Sequence, residues 1–214
     1  IKQMKIGTTD HIVVYDRSDK YLASARVWWM FRAFGFERVS VLNGGLKHFK
    51  KDIGDKWNPV ESTATHLYDT NKKPSIVVDK GAILKNLKSK ERIIVDARSK
   101  DRFDGTGVEP RLGSAKGHIP TSKNVPFTEL VADDGLMKNT NQLKDIFEEH
   151  EVDTAAPMIA TCGSGVSACV LALGLHQLGN PDVSVYDASW AEWGLPYNRL
   201  PIWTTYTKGD REPF

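Results

Sequence analysis

Cysteine is scarce in this chain, which has two cysteines, Cys162 and Cys169, among its 214 residues. If a helix begins at Val166, the two lie roughly 10 Å apart along it, at about 1.5 Å per residue. The Cα atoms of a disulfide lie within about 7 Å of each other. We therefore expect two free thiols and a reducing compartment, either the cytosol or the mitochondrion. The absence of a CxxC pair argues against a structural zinc site, and we expect no metal or other cofactor.

The chain also lacks a charge excess and a long apolar segment. Its 29 basic and 27 acidic residues leave a formal net charge of +2, so we expect neither a nucleic acid nor a membrane as partner. No apolar run approaches the ~20 residues that a transmembrane helix needs, and residues 1–5 do not have the pattern of a signal peptide. The hydrophobic fraction of 40% is that of an ordinary globular protein. Any anion must therefore be recognised locally.

The strongest local pattern is a glycine- and serine-rich loop over residues 162–167, which begins at Cys162. It lies between an apolar run over 158–160 and an apolar, helix-like segment over 166–178. A strand that turns into a helix through such a loop directs backbone N–H groups at one point, where the helix N-terminus adds partial positive charge. Both effects favour the thiolate form of a cysteine. The pattern predicts either a nucleophilic Cys162 in an anion-binding cradle or a structural cysteine at the end of a core strand.

The order of elements around this loop occurs twice. Each series is a strand, a helix that ends at a glycine, and a second strand; they occupy 11–16, 23–34 and 39–42, and then 158–162, 166–178 and 183–186. The glycines, Gly35 and Gly179, are 144 positions apart (179 − 35), and so are the two copies of a Val-Ser-Val tripeptide (183 − 39). This ordered set indicates a duplicated α/β domain. Asp16 stands in the first copy where Cys162 stands in the second.

The repeat predicts two domains with parallel central sheets flanked by helices. The polar, proline-containing segment 55–74 is interpreted as a linker between a non-catalytic domain over 1–54 and a catalytic domain over 75–214. About 85 residues precede Cys162 within its domain (162 − 77), whereas 15 precede Asp16. We therefore expect the first domain to be truncated on its N-terminal side.

Further strands and helices alternate within the second domain. We predict strands over 76–78 and 93–98, a helix over 80–87 capped by Asp79, and a helix that ends near 150 and is capped by Thr140 or Asn141. Ligands of a parallel sheet bind at the carboxyl ends of its strands, where Cys162, Asp96 and Arg98 all fall. Asp96 and Arg98 are interpreted as structural hydrogen-bonding partners below the loop.

Three motifs connect the chain with a known family. They are the loop 162–167, Gly117-His118-Ile119-Pro120, and Tyr186-Asp187-Ala188-Ser189-Trp190-Ala191-Glu192-Trp193. On these motifs the chain resembles the tandem-domain rhodanese superfamily, and within it the 3-mercaptopyruvate sulfurtransferase branch. It departs from the usual pattern at Ser167, Thr121 and Ala188, where the family has Thr, Gly and Gly. The resemblance implies a sulfur-transferring enzyme with two rhodanese-like domains, the second of them catalytic.

The resemblance also implies the chemistry. The Cys162 thiolate attacks the sulfur of 3-mercaptopyruvate, pyruvate leaves, and the persulfide on Cys162 is then passed to a thiol acceptor or to cyanide. Ser164 is the second catalytic residue that the family implies, together with a His and an Asp that belong to the part of the first domain expected to be missing. The remaining implied substrate contacts are those of the loop itself: Gly163, Gly165, Val166 and Ser167.

Substrate charge separates the two nearest enzymatic interpretations. By family similarity, Arg102 and Arg111 bind the substrate carboxylate, and guanidinium groups suit a bidentate contact of that kind. Thiosulfate sulfurtransferases similar to this chain have basic residues after the cysteine, whereas Gly163 and Ser164 are neutral. The neutral loop favours the monoanionic 3-mercaptopyruvate, and thiosulfate sulfurtransferase stays as an alternative. The alternative interpretation is that both arginines are surface residues of a mobile loop.

Other interpretations stay open or are disfavoured. A non-catalytic rhodanese-like binding module is favoured by the short first domain and disfavoured by Cys162 and the two arginines. A phosphatase of related fold needs an Arg six residues after the cysteine, where this chain has Ala168.

Asp16 is interpreted as a polar loop residue of a silent twin, His118 as a structural residue at a strand entry, and the pair 28–29 (Trp-Trp) as core or domain interface. We expect a monomer or weak dimer, with thioredoxin or a small thiol as acceptor.

Overall fold

Two parallel sheets organise the computed structural model, which describes residues 6–7, 10–18, 20–53 and 76–205. The smaller sheet pairs β1 (Ile12–Val14) with β2 (Val39–Val41). The larger sheet has five strands, which are in spatial order β3 (Val77–Val78), β7 (Val183–Tyr186), β6 (Met158–Thr161), β4 (Ile93–Asp96) and β5 (Lys123–Asn124). The strands of each sheet run parallel, so the α/β class predicted from the sequence is confirmed.

Helices connect these strands and cover the sheets. They are α1 (Leu22–Ala33), α2 (Gly45–Ile53), α3 (Lys80–Ser89), α4 (Lys100–Asp104), α5 (Thr140–Glu149), α6 (Ala168–Gln177) and α7 (Ser189–Trp193), with 3-10 turns at Phe127–Leu130 and Pro196–Asn198. The central strand β6 is buried along its whole length, as expected of a parallel strand with helices on both faces. Among the described residues, no helix is long and apolar enough to cross a membrane.

Several local boundaries differ by one or two residues from the sequence prediction, and three of the differences have a clear physical reason. Strand β4 ends at Asp96 rather than at residue 98, because the N–H of Arg98 donates to the Asp96 carboxylate at 2.9 Å and turns the chain. Helix α6 begins at Ala168, two residues late, because 166–167 form a turn. The cap of α5 is Asn139, which exchanges hydrogen bonds with Gln142 in a capping box, the arrangement that satisfies two free N–H groups at once.

The two copies of the repeat share one hydrophobic core. Helix α1 packs against α6, and the indole of Trp28 lies with its centroid 5.3 Å from the ring of His176 in α6. Trp28 and Trp29 are both buried in the same core cluster as Leu171 and Leu175 of α6. The prediction that the tryptophan pair fills core or interface is confirmed. The predicted linker 55–74 lies outside the described residues, and the domain boundaries stay a prediction.

A tyrosine hydroxyl also joins the two copies. The hydroxyl of Tyr21, at the start of α1, donates to the side chain of Asn43 at 2.5 Å and accepts from the N–H of Gly44 at 2.7 Å. It accepts a further hydrogen bond of 2.9 Å from the N–H of Met137, in the second copy. The turn that follows β2 is therefore attached to the second copy by a buried hydrogen-bond network.

Candidate active site

Cys162 follows directly after β6 and is 2% exposed. Its N–H donates to the hydroxyl of Ser189 at 3.1 Å, and its carbonyl accepts from the N–H of Trp190 at 3.0 Å. The carbonyl of Gly163 accepts from the N–H of Ala191 at 2.8 Å. The start of α7 therefore holds the first two residues of the loop in place. The sequence did not indicate this role of Ser189, although the residue lies in one of the family motifs.

The middle of the loop requires a glycine. Gly165 has a φ of +73°, and a Cβ built on it would lie 2.3 Å from the carbonyl oxygen of Asp187. A side chain would be strained there in conformation and would also clash with backbone. This turn separates the strand from α6 and opens the loop. No acceptor in the described part of the chain is hydrogen-bonded to the N–H groups of 163–167, which suits the binding of an anion.

A cavity of about 660 Å³ lies beside the head of the loop. It is lined by Arg102, Glu109, Pro110, Arg111, Leu112, Ser114, Gly163, Ser164, Trp190 and Ala191. The structure thus brings both predicted arginines together with Gly163 and Ser164. The other predicted contacts, Gly165, Val166 and Ser167, are not part of the cavity wall, because the chain has already turned away into α6 there.

The two arginines have different surroundings. Arg102 lies on α4 and forms an ion pair of 2.7 Å with Glu109, and its side chain is 23% exposed. A Cβ built at Gly163 would lie 3.2 Å from its Nη2, so the guanidinium is next to the loop. Arg111 is exposed, and its Nη1 donates to the carbonyl of Ala191 at 3.3 Å. Arg102 is therefore held in place, which does not fit the alternative of a mobile surface loop for that residue.

A buried ion pair lies behind the cavity. The guanidinium of Arg98 donates to both oxygens of Asp96, and both side chains are 1% exposed. Burial opposes the charge of Arg98, but the negative groups around it, Asp96 first and then Glu109, together outweigh burial and raise the pKa of the arginine. The guanidinium also lies 4.2 Å from the ring centroid of Trp190, a residue of the cavity wall. The prediction that Asp96 and Arg98 form structural hydrogen bonds below the loop is confirmed.

Among the described residues of the first copy, Arg26 is the one whose side chain is hydrogen-bonded to the loop. Arg26 of α1 donates to the carbonyl of Gly165 at 3.3 Å and forms an ion pair with Asp187. Its guanidinium lies 4.7 Å from the ring centroid of Trp29. Burial opposes the charge of Arg26, but its interactions with Asp187 and Cys169 together outweigh burial and raise its pKa. Sequence reasoning missed this contact, because nothing local to α1 relates Arg26 to a loop 139 residues away.

His118 is structural, as predicted, and so is Cys169. Both cysteines are free and buried. The thiol of Cys169 donates to the carbonyl of Gly165 at 3.1 Å, and burial raises its pKa to about 12, so it stays protonated. The ring of His118 stacks on Phe103 with 3.8 Å between centroids and is bonded through Nδ1 to the Phe103 carbonyl at 2.8 Å. Burial lowers the pKa of His118, which favours the neutral ring.

Asp16 has a more specific role than that of a polar loop residue. Its carboxylate accepts hydrogen bonds of 3.0 Å from the N–H groups of both Ala23 and Ser24, in the first turn of α1. A carboxylate at that position satisfies donors that a helix leaves free and interacts favourably with the helix dipole. Asp16 therefore caps the helix that follows it, at the point where the second copy has Cys162.

Comparisons with known proteins agree with this architecture. The rhodanese-like domain family matches residues 2–52 and 66–195. The chain is 43% identical over 192 residues to 3-mercaptopyruvate sulfurtransferase from Homo sapiens, an alignment that covers 89% of this chain and 65% of that protein. It is 39% identical over 215 residues to thiosulfate sulfurtransferase from Rattus norvegicus, covering 98% of this chain and 70% of that protein. The chain thus spans about two thirds of the length of these relatives.

A solved structure supports the same relationship. The crystal structure of SseA from Escherichia coli, described among 3-mercaptopyruvate sulfotransferases, superposes with a TM-score of 0.72 at 36% identity. The alignment covers 89% of this chain and 72% of SseA. Both the sequence and the arrangement of strands and helices are therefore shared with proteins of this family.

Proposed function

Because the chain belongs to the rhodanese family, we propose that it is a sulfurtransferase that moves sulfur from 3-mercaptopyruvate to a thiol acceptor or to cyanide. The proposed nucleophile is Cys162, at the head of the loop, and Ser164 is the proposed second catalytic residue. Arg102 and Arg111 are proposed to bind the carboxylate of the donor. Loop residues 163 and 165–167 are proposed to contact the transferred sulfur through their backbone.

The proposed reaction proceeds in two steps. The Cys162 thiolate attacks the sulfur of 3-mercaptopyruvate, and an S–S bond forms as the C–S bond breaks. The electron pair of the C–S bond leaves with the three-carbon fragment as the enolate of pyruvate, which then takes up a proton. In the second step, a thiolate acceptor attacks the outer sulfur of the persulfide, and Cys162 leaves as a thiolate. No oxidant or cofactor is needed, since the same cysteine both accepts and releases the sulfur.

One observation carries this proposal: two guanidinium groups and the head of the loop line the same cavity. Arg102, Arg111, Gly163 and Ser164 all belong to its wall. A carboxylate held by the arginines would place the sulfur of a three-carbon donor toward the loop. The loop N–H groups and the N-terminus of α6 would then stabilise a thiolate or persulfide anion.

The test is to incubate the purified chain with 3-mercaptopyruvate and a thiol acceptor and to measure pyruvate and sulfide. We expect turnover that Cys162→Ser abolishes. A rate no higher than that of the serine variant would contradict the enzymatic proposal and would favour a rhodanese-like binding module instead. The serine variant is the matched control, because it replaces one sulfur atom by oxygen at the same buried position.

Thiosulfate sulfurtransferase is the second candidate, and the 39% identity to the rat enzyme favours it. A parallel assay with thiosulfate and cyanide, which reports thiocyanate, separates the two donors. We expect a higher kcat/KM with 3-mercaptopyruvate, because Gly163 and Ser164 add no positive charge for a second anionic group of the donor. A higher value with thiosulfate would reverse the assignment of the donor without affecting the role proposed for Cys162.

We propose thioredoxin or a small thiol as the acceptor, in the cytosol or the mitochondrion. The two free thiols support a reducing compartment. Leu112 lines the cavity and is 97% exposed, so the cavity wall is accessible to an acceptor on that side. Replacing the small thiol by reduced thioredoxin in the pyruvate assay tests this: a lower rate with thioredoxin would favour the small thiol.

A further inference from the structure

We propose that Glu109 is a positioning and specificity-determining residue: it holds Arg102 beside the active loop and limits the positive charge of the cavity, which favours singly charged donors. This inference rests on the proposed function, since it concerns the same cavity. Glu109 belongs to none of the three motifs that connect the chain with its family.

The carboxylate of Glu109 joins two guanidinium groups. Its Oε1 accepts from Nη1 of Arg98 at 3.0 Å, and its Oε2 accepts from Nη2 of Arg102 at 2.7 Å. The side chain of Glu109 is 6% exposed. One buried carboxylate is therefore shared between the arginine behind the cavity and the arginine in its wall. Charge-assisted bonds of this kind are the strong ones, and a bidentate arrangement fixes orientation.

This arrangement determines which nitrogen of the Arg102 guanidinium is available to a ligand. The Glu109 carboxylate takes up Nη2 at 2.7 Å and Nε at the longer distance of 3.4 Å. Nη1 of Arg102 has no hydrogen-bond acceptor in the described ranges of the chain. Because the guanidinium lies against Gly163, the free nitrogen is available to a ligand in the cavity. Without Glu109, the side chain of Arg102 could rotate away from the loop.

Glu109 also determines the charge that a donor meets. Among the described residues, the arginines at or behind the cavity wall are Arg98, Arg102 and Arg111, and the carboxylates paired with them are Asp96 and Glu109. Without the Cys162 thiolate, which the loop N–H groups are proposed to stabilise, their formal sum is 3 − 2 = +1. One carboxylate on a donor neutralises this charge, whereas a dianion leaves an excess negative charge in a partly buried space, which is costly. A cavity of charge +2 would instead match a dianion.

The experiment compares two donors on the same enzyme preparations. kcat/KM is measured with 3-mercaptopyruvate and with thiosulfate for the wild type, Glu109→Gln, Glu109→Asp and Asp101→Asn. The glutamine variant keeps the shape of the side chain and removes one negative charge. The aspartate variant keeps the charge. Asp101 precedes Arg102 on α4 and is exposed, and its carboxylate interacts with the backbone N–H of Arg102 but forms no ion pair with a guanidinium among the described residues. Because asparagine keeps an accepting oxygen for that N–H, Asp101→Asn is the matched control for a change of net charge.

For Glu109→Gln we expect the ratio of the two kcat/KM values to shift about tenfold toward thiosulfate, mainly through KM, as the loss of one nearby charge in a partly buried site predicts. Glu109→Asp is expected to shift the ratio less than about threefold, and Asp101→Asn less than about twofold, because an exposed charge is screened. A ratio of donors does not change if a variant is partly unfolded, so a merely structural role of Glu109 would leave it constant.

An unchanged ratio in Glu109→Gln overturns the inference, and so does an equal shift in Asp101→Asn. If the wild type turns over neither donor, the proposed function fails and Glu109 is tested by binding alone. Calorimetric titration then compares pyruvate, with one negative charge, and sulfate, with two. The same shift toward the dianion in Glu109→Gln supports the inference, and equal affinities in the wild type and the variant overturn it.

Discussion

The N-termini of the corresponding helices α1 and α6 have different surroundings in the two copies of the repeat. In the first copy, the Asp16 carboxylate occupies the free N–H groups of α1, with two hydrogen bonds of 3.0 Å. In the second copy, the strand ends in Cys162, and the N–H groups of 163–167 have no acceptor in the described part of the chain. A helix N-terminus attracts an anion in either case. The first copy therefore supplies its own anion, the Asp16 carboxylate, whereas the second copy leaves the position open to a ligand.

The copies also differ in what each contributes to the other. Arg26 of the first copy bonds to the loop of the second at Gly165 and to Asp187 beside it. The contacts that the second copy makes with the first are structural, such as the packing of α6 on α1 and the hydrogen bond from the N–H of Met137 to the Tyr21 hydroxyl. The first copy is therefore a support for the loop of the second, although it has no nucleophile at the corresponding strand end.

The largest effect is expected from making the second copy like the first. Cys162→Asp places a carboxylate at the head of the loop, where it competes with any anionic donor and cannot form a persulfide. We expect sulfur transfer to fall by a factor of at least about 10³, as measured by pyruvate release. The converse variant, Asp16→Cys, should not create a second active site, because the side-chain hydrogen bonds of Asp16 among the described residues are with the N–H groups of Ala23 and Ser24 and not with an arginine. Sulfur transfer by a Cys162→Asp, Asp16→Cys double variant would contradict the comparison.

The next effect concerns the glycine that opens the loop. Gly165→Ala forces a side chain into a conformation with φ of +73° and within 2.3 Å of a backbone oxygen. We expect a loss of about 2–4 kcal/mol in the free energy of unfolding and at least about a tenfold loss of activity. Gly179→Ala is the matched control, since its φ is +84° but nothing lies within 4 Å of the added carbon. It should cost about 1 kcal/mol and leave activity unchanged. Equal losses in both variants, by urea unfolding, would show that the clash with Asp187 is unimportant.

Removing the support from the first copy should have an intermediate effect. Arg26→Met keeps the apolar stem of the side chain but removes its bonds to Gly165 and Asp187. We expect kcat to fall about three- to tenfold while KM changes less, because the loop loses its fixed position but the arginine pair remains. Arg32→Met, on the same helix, is the control: its guanidinium lies over Trp28, 5.3 Å from the ring centroid, and has no contact with the loop. A similar fall in Arg32→Met would assign the effect to packing of α1.

The smallest effect is expected for the cap of the first copy. Asp16→Ala removes the acceptor for the N–H groups of Ala23 and Ser24 and should lower the free energy of unfolding by about 0.5–2 kcal/mol. Asp16→Asn keeps a capping oxygen and should cost less. Activity per folded molecule should not change in either variant. An activity loss in Asp16→Ala larger than its change in stability would mean that the first copy does more than support the loop.

The elements with strong local patterns were predictable. Strands β6 and β7 and helices α1 and α3 lie within one or two residues of their predicted bounds, because apolar runs, the Asp79 cap and the terminal glycines are local signals. Boundaries that depend on a particular side chain were not. The end of β4 depends on the Asp96 carboxylate turning back on the N–H of residue 98, which no periodicity reveals.

Sequence reasoning likewise identified some residues of the candidate site and missed others. The arginines and the loop head were found through the family resemblance, and they share one cavity wall. Glu109 and Ser189 were missed. A signal for Glu109 was present, since it is an acid two positions before Arg111. However, its hydrogen-bond partners are Arg102 and Arg98, which lie 7 and 11 positions before it. Only folding decides which of many nearby charges will meet.

The sequence by itself determined the class of fold and the kind of chemistry, because both depend on short-range relations: an apolar strand, a Cys-Gly-Ser-Gly loop, and a helix directly after it. The repeat likewise identified Asp16 as the counterpart of Cys162. The tertiary structure decided what surrounds the loop. Arg26 is hydrogen-bonded to Gly165, which lies 139 positions away in the sequence. The Glu109 carboxylate can hold Arg98 and Arg102 only once folding has brought the three side chains together. Contacts of that kind depend on packing, which leaves no mark in residue spacing.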